Sequence, residues 1–392
     1  MKAVIIKHLS FILMLGGSGL YFLSSILAKK YLHPDDFYLW NALLTIIAIS
    51  FSFVYLGSEQ LFVRLGIVEG DKYIINIHVI YLMLFSVVSY IGFLFGIYSL
   101  GFFDLDLIIY SAFISIFIAI LIFFHNLYRV KSFFNTSQLV LNSWKFFLLL
   151  MLMSSHYFEF DIKLAVACSF IISCLILIVF CNKNNSHLEF SNNTSDGTFA
   201  LYLSFLFSLM VITLMGSFDR LAIEKFLNKE VFSQYVYLVT ILIMPFGLVS
   251  SYFGFKEVVY FKEKFSRKDF YGKLLNVSIV VSILFSIWFV FLEIIKDIIS
   301  LDLDFSYFIP SLLLSVIRCV HSIISSLFGV KAGPKDIRNA NFIVICFILL
   351  VISLIKLGVI LVSPLNVMYM MASIWAIRTL AFSLLIRNID EY

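Results

Sequence analysis

Twelve stretches of about 20 predominantly apolar residues run through the chain, at 8–28, 37–57, 74–98, 105–126, 138–156, 162–181, 199–217, 231–253, 273–293, 305–328, 340–360 and 365–386. That is the length an α-helix needs to cross the hydrocarbon of a bilayer, where each backbone N–H and C=O must be satisfied within its own segment. Twelve such runs in 392 residues leave no hydrophilic stretch large enough to fold separately. The composition agrees. With 62% hydrophobic and 13% charged residues and a mean hydropathy of +1.03, the chain has more apolar surface than a water-soluble core could take in. A lipid-facing barrel would alternate apolar and polar residues over segments of about ten; no such alternation recurs, and 45 Phe with 17 Gly and five Pro favour helices. The expected fold is an all-α polytopic membrane protein of twelve transmembrane helices.

One passage occurs twice. Lys29–Ile46, KKYLHPDDFYLWNALLTI, aligns without a gap on Glu224–Ile241, EKFLNKEVFSQYVYLVTI, with six identities: Lys30/Lys225, Leu32/Leu227, Phe37/Phe232, Leu43/Leu238, Thr45/Thr240 and Ile46/Ile241. Each copy reads as the end of one apolar helix, a short charged turn and the start of the next, so the period is half the chain. The polar, Asn- and Ser-rich interval near the middle then reads as a linker. The expected organisation is a six-helix lobe at 1–182, a cytoplasmic linker at 183–198 and a second six-helix lobe at 199–392. The first apolar run, preceded by two lysines, has some marks of a signal peptide. It lacks a well-formed small-residue cleavage site and the repeat begins inside its far end, so it is read as a retained span.

An even number of spans puts both termini on one side. Loops on that side hold seventeen Lys and Arg against eight on the other, with Lys145, Arg318 and Arg378 inside spans, which predicts cytoplasmic termini. Phe255–Lys273 carries much of the excess and reads as an anchor in the headgroup region. Of the cysteines, Cys168, Cys174 and Cys181 lie in one apolar run, where soft packing is the expected role; no CxxC or Cys/His set suggests a metal.

Polar residues inside the spans carry the functional signal. Asn41, Thr45, Ser52, Tyr55 and Glu59 have the spacing of one helical face, as do Ser18, Tyr21, Ser25 and Lys29 in span 1. Span 5 offers Asn135, Gln138, Asn142 and Lys145; span 10 offers Ser311, Ser315, Arg318, Ser322, Ser325 and Gly329, with His321 beside them. Hydroxyls on one face commonly pack helix on helix. A cation at mid-helix costs about 2.5–3.5 kcal/mol even on the lenient insertion scale, so Lys145 and Arg318 are expected to face the bundle interior or water. Neither span 5 nor span 10 contains an acid to pair with them. Arg378 sits nearer a helix end, where snorkelling to the interface competes with burial. If the stripes converge, they line a hydrated, positively charged hollow suited to an anionic, sugar-bearing cargo. The acids Glu59, Asp219 and Glu293 are scattered and the histidines show no ligand spacing, so no catalytic constellation emerges.

The segments GGSGLYFLSSILAKKYLHPDDFYLWNALLTI with LGSEQLFVRL, and GSFDRLAIEKFLNKEVFSQYVYLVTILIMP, resemble the corresponding passages of the Wzx-type O-antigen and polysaccharide repeat-unit flippases. Asp219 and Arg220 fall on that family's acid–base pair. His33-Pro34-Asp35-Asp36-Phe37 lacks the glycine often found after the family's turn. The superfamily also contains lipid II flippases and multidrug extruders. The resemblance implies a bacterial inner-membrane transporter of two six-helix lobes. It would move an undecaprenyl-pyrophosphate-linked oligosaccharide by alternating access, in company with a polysaccharide polymerase and chain-length machinery, and without nucleic acid. Substrate contacts are then expected from Lys145, Arg318, His321, Asn142, Gln138, Ser25, Lys29, Lys30, Arg64 and Arg220. Glu59 and Asp219 are candidates for coupling to a proton or cation gradient, and no cofactor is expected. Two alternatives stay open: a cation-coupled drug extruder of the same fold, which would favour intramembrane acids over bases, and a polytopic glycan polymerase or ligase, which would carry a sizeable outside loop.

Overall fold

A computed structural model describes residues 2–69, 72–158, 160–183, 188–191, 198–263, 265–331 and 334–386. Its helices are α1 (Lys2–Tyr31), α2 (Pro34–Phe53), α3 (Ser58–Leu65), α4 (Ile77–Ser99), α5 (Leu105–Val130), α6 (Phe134–Phe158), α7 (Ile162–Lys183), α8 (Thr198–Phe226), α9 (Lys229–Glu263), α10 (Arg267–Ile295), α11 (Phe308–Lys331), α12 (Pro334–Lys356) and α13 (Pro364–Leu385). All but α3 are long and apolar enough to cross a membrane, twelve in total. Local chemistry starts them where it should. Prolines open the first turns of α2 and α13, where the missing N–H has no helical partner to lose. Ser363 Oγ caps α13 by accepting from the Asn366 amide at 3.2 Å, and Asn76 Oδ1 caps α4 by accepting from the His78 amide at 2.8 Å.

The chain divides into two compact units, Met1–Thr213 and Leu214–Tyr392, the division falling inside α8. The first part of α8 belongs with the first unit because its side chains pack there: Tyr202 and Ser86 hydroxyls lie 3.3 Å apart. Of the sequence-based linker, 184–187 and 192–197 lie outside the described residues, as do Lys264 and Arg387. Residues 188–191 form a strand. β1 (Ile67–Glu69) pairs antiparallel with β2 (Lys72–Asn76), and β2 pairs parallel with β3 (Leu188–Ser191), tied by the Lys72–Glu189 ion pair at 2.5 Å.

The duplicated passage folds the same way twice. Leu32 N donates to Ala28 O at 3.0 Å and Phe37 N to His33 O at 2.8 Å; 195 residues on, Leu227 N donates to Ile223 O at 2.9 Å and Phe232 N to Asn228 O at 3.1 Å. Phe37, Leu43 and Ile46 are buried, and so are Phe232, Leu238 and Ile241. The copies diverge further along. α2 stops at Phe53 and the chain reverses through Leu56 (φ 49°) and Gly57 (φ 90°) before α3 begins. A side chain at Gly57 would also meet the Leu206 backbone nitrogen at 2.9 Å, so only glycine fits this turn. The expected continuous face from Asn41 to Glu59 is therefore broken: Tyr55 lies in the turn and Glu59 on α3. By contrast α9 runs on to Glu263 through Pro245. Proline lacks the N–H that would bond Ile241 O, and the Trp288 indole N–H donates to that carbonyl instead at 3.3 Å.

The expected headgroup anchor at 255–273 is revised by the same continuity. Much of it is the end of α9 and the start of α10, with Phe261, Phe265 and Phe270 in a buried cluster with Phe328 and Phe382. Glu257 is buried there and accepts from Lys273 Nζ at 2.6 Å.

Several small polar residues serve as links between helices, whereas the stripe hydroxyls of Thr45, Ser311 and Ser315 have no partner among the described residues. In the first unit Ser50 Oγ lies 2.8 Å from Tyr90 Oη and 3.1 Å from Ser115 Oγ, joining α2, α4 and α5. In the second, α11 hooks successive turns of α9: Cys319 Sγ reaches Phe246 O at 3.5 Å, Ser322 Oγ donates to Ser250 O at 2.5 Å and Ser326 Oγ to Gly254 O at 2.9 Å. Such short polar contacts replace a hydrophobic driving force that lipid cannot supply.

Candidate functional site

In the first unit three predicted residues come together on α6. Asn142 Nδ2 donates to Gln138 O at 2.9 Å and to Gln138 Oε1 at 3.3 Å, which aims its amide oxygen the other way. Lys145 Nζ donates to that oxygen at 2.7 Å and sits 5.9 Å from the Trp144 ring centre. α1 comes so close here that a Cβ on Gly17 would meet Asn142 Oδ1 at 2.6 Å, so the lysine's acceptor is wedged by backbone. Trp144 stacks on Phe51 and Phe170 at 5.5 and 4.7 Å and fixes the helix face that carries Lys145. No carboxylate accepts from Lys145 among the described residues.

In the second unit α8, α9, α11 and α13 assemble a larger polar group. Asp219, 4% exposed, accepts from Tyr235 Oη at 3.0 Å through Oδ2, while Oδ1 has no partner among the described residues. Asp219 and Arg220, the acid and base of the motif resemblance, point about 100° apart as neighbours on a helix do, and no ion pair joins them among the described residues. Tyr235 occupies the position that Trp40 holds in the first copy, and Asp219 that of Ser24, so this buried acid is particular to the second copy. Arg318 lies within electrostatic range of both Asp219 and Arg220, and its guanidinium sits 5.4 Å from the Trp375 ring centre. The other face of this region is closed by His321, edge-on to Trp375 and Phe382 at 5.4 Å each.

Arg378 was expected to divide between snorkelling and burial. It is buried, only 2% exposed. Nη1 leans on Met215 Sδ at 3.2 Å, the guanidinium lies 5.3 Å from the Phe382 ring centre, and Nε has no partner among the described residues. These contacts place Arg318 and Arg220 near one carboxylate and set Arg378 apart, against a thioether, an aromatic ring and His321. The sequence flagged Arg378 only as an intraspan charge; its partners come from α8 and α11, and no local spacing announces them.

The remaining predicted residues stand apart from these groups. Ser25 Oγ donates to Tyr21 O at 3.1 Å. Lys29 sits over the Phe37 ring at 5.1 Å and Lys30 over the Tyr31 ring at 5.6 Å, as interfacial side chains do. Arg64 is exposed on α3. Glu59, on the same helix, has Oε2 unpartnered among the described residues, and burial pushes its carboxyl above the ordinary range.

No protein-family model matches the sequence, and no curated protein is significantly similar to it. Among solved structures the chain is similar to a lipid II flippase, MurJ, in its inward closed conformation, with a TM-score of 0.63 and 14% identity over 97% of this chain and 87% of that one. At that identity the likeness shows the fold alone, an all-α architecture with twelve helices long and apolar enough to cross a membrane.

Proposed function

We propose that the protein is a flippase that carries an undecaprenyl-pyrophosphate-linked oligosaccharide, the repeat unit of an O-antigen or capsule, across the bacterial inner membrane by alternating access. The observation that carries the proposal is the surplus of cations inside the spans. Lys145 has an amide in place of a carboxylate, Arg220 and Arg318 share one aspartate, and Arg378 has only a thioether among the described residues. A surplus of this kind is costly in a bilayer unless a group of opposite charge visits it. A diphosphate supplies that charge, and the neutral amides and hydroxyls around Lys145 suit the sugar.

In this proposal Lys145, steadied by Asn142 and Gln138, and Arg318, stacked on Trp375 beside His321, meet the headgroup. Arg220 is a secondary contact; Ser25, Lys29, Lys30 and Arg64 are peripheral. Coupling to a proton or cation gradient is assigned to Asp219, whose free Oδ1 can take either, with Glu59 the alternative. Both termini are assigned to the cytoplasm, and a polymerase acting on the delivered units is the expected partner.

The test uses cells whose surface polysaccharide depends on this chain. Lys145→Gln and Arg318→Gln, each confirmed to be inserted, should reduce surface polymer and accumulate lipid-linked repeat units on the inner leaflet. Normal polymer with both variants would rule out the cationic contact. Single units exported without polymerisation would favour a polymerase, and extrusion of a cationic dye a drug transporter.

A further inference from the structure

We propose that the second unit contains an internal oxyanion site built on Arg378, whose ligand is a phosphoryl or pyrophosphoryl group. The inference rests on the flippase proposal and gives the headgroup's diphosphate a subsite that neither the motif resemblance nor the intraspan stripes assign. Three observations carry it. Arg378 is buried within α13, at 2% exposure, so its charge is not delivered to the membrane surface. No carboxylate pairs with it among the described residues; Nη1 has only the Met215 thioether, a weak acceptor, and Nε has none. His321, buried against the same Phe382 ring, also leaves Nδ1 without a partner among the described residues.

A guanidinium left this way is an uncompensated charge in a low-dielectric place, and its Nε edge offers the fork that oxyanions engage bidentately. The group in its way is also the most easily moved. Methionine has no branch at Cβ and three rotatable bonds, so the sulfur can yield Nη1 to an oxygen without disturbing the helices. Phe382 then holds the guanidinium plane from one face. His321 also meets the Trp375 ring edge-on, and the Arg318 guanidinium lies over that same ring at 5.4 Å.

The same chemistry could arrive as free pyrophosphate or on a lipid, and the experiment separates the two. The full chain, purified in detergent, is heated with inorganic pyrophosphate, with chloride at matched ionic strength, and with undecaprenyl pyrophosphate. Pyrophosphate in either form should raise Tm by about 5 °C at saturation, and chloride should not. A response to the lipid form alone assigns the site to the carried headgroup; a response to both shows that it also takes the free anion.

Arg378→Met removes the charge at similar volume. It should leave the ligand-free Tm unchanged or higher, since an unpaired buried charge is gone, and abolish the anion shift. A pyrophosphate shift that survives in Arg378→Met, or a ligand-free Tm that falls as loss of a structural contact requires, overturns the site. Should Arg378→Met fail to fold, Arg378→Lys keeps the charge and should weaken apparent pyrophosphate affinity about tenfold through loss of the fork; undiminished affinity overturns it equally. If the unaltered protein flips the lipid-linked glycan yet shows no anion shift, this subsite fails and the flippase proposal stands. If it does not flip, the proposal itself fails.

Discussion

Replacing Gly17 by alanine tests how the Lys145 site is held. The new Cβ would lie 2.6 Å from Asn142 Oδ1 and 2.7 Å from its Cβ and Cγ. Comfortable carbon contacts are about 3.5–4.0 Å, so α1 and α6 must part by about 1 Å or the asparagine must leave. Rotating the side chain removes only some of the overlap, because the Asn142 Cβ is fixed by the helix backbone. Overpacking of this kind costs about 1–3 kcal/mol, set against a gain of about 0.5–1 kcal/mol from alanine in a helix interior. In an Asn142→Gly background all three opposing atoms are gone, and only the gain remains. Gly17→Ala should therefore destabilise the parent and stabilise the Asn142→Gly variant, a coupling of about 1–3 kcal/mol. Thermal unfolding of the four detergent-solubilised proteins measures it. The same sign of effect in both backgrounds would refute the wedge and, with it, the account of why Asn142 Oδ1 faces Lys145.

Glu59→Gln should raise Tm at neutral pH and lose that advantage below about pH 4, the range of an unfolded-chain glutamate. The sign follows from the raised carboxyl: a group whose folded value lies above its unfolded one stabilises the fold at low pH, and that contribution disappears as pH rises through the folded value. A Tm difference that does not vary with pH would contradict it. Trp288→Phe keeps the ring but leaves Ile241 O without the donor that Pro245 denies it, and should cost about 1–3 kcal/mol in thermal unfolding; restoring the helical donor with Pro245→Ala should recover part of the loss. Unequal recovery would be informative, but no recovery at all would show that the indole bond is incidental. Asp219→Asn, which keeps the acceptor for Tyr235, should preserve the fold while reducing gradient-dependent transport; transport unchanged in its gradient dependence would remove Asp219 from coupling.

The twelve spans were legible because bilayer thickness sets helix length and side-chain polarity together, and the duplicated turn was legible because its six identities mark one piece of backbone used twice. The reversal at Leu56–Gly57 was not, although glycine followed by Ser58 and Glu59 is a plausible stop and restart; hydropathy does not resolve a break that short. β2 and β3 pair across more than a hundred residues, a register that neither strand's sequence specifies. Within the candidate site, Gln138, Asn142 and Lys145 lie on one helix face and could be grouped by spacing. Arg378 could not, since Met215 and His321 reach it from other helices. Nor could spacing show that Ser322 and Ser326 would serve α9 rather than a ligand.

The most direct measurement is transbilayer movement of a fluorescent undecaprenyl-pyrophosphate-linked oligosaccharide in proteoliposomes containing the full chain, compared with Lys145→Met and Arg318→Met. The account predicts movement by the parent and a loss of at least tenfold in each variant, with a lipid of the same chain length but no phosphate left unmoved. Equal rates in the parent and both variants, or equal movement of the uncharged lipid, would contradict it.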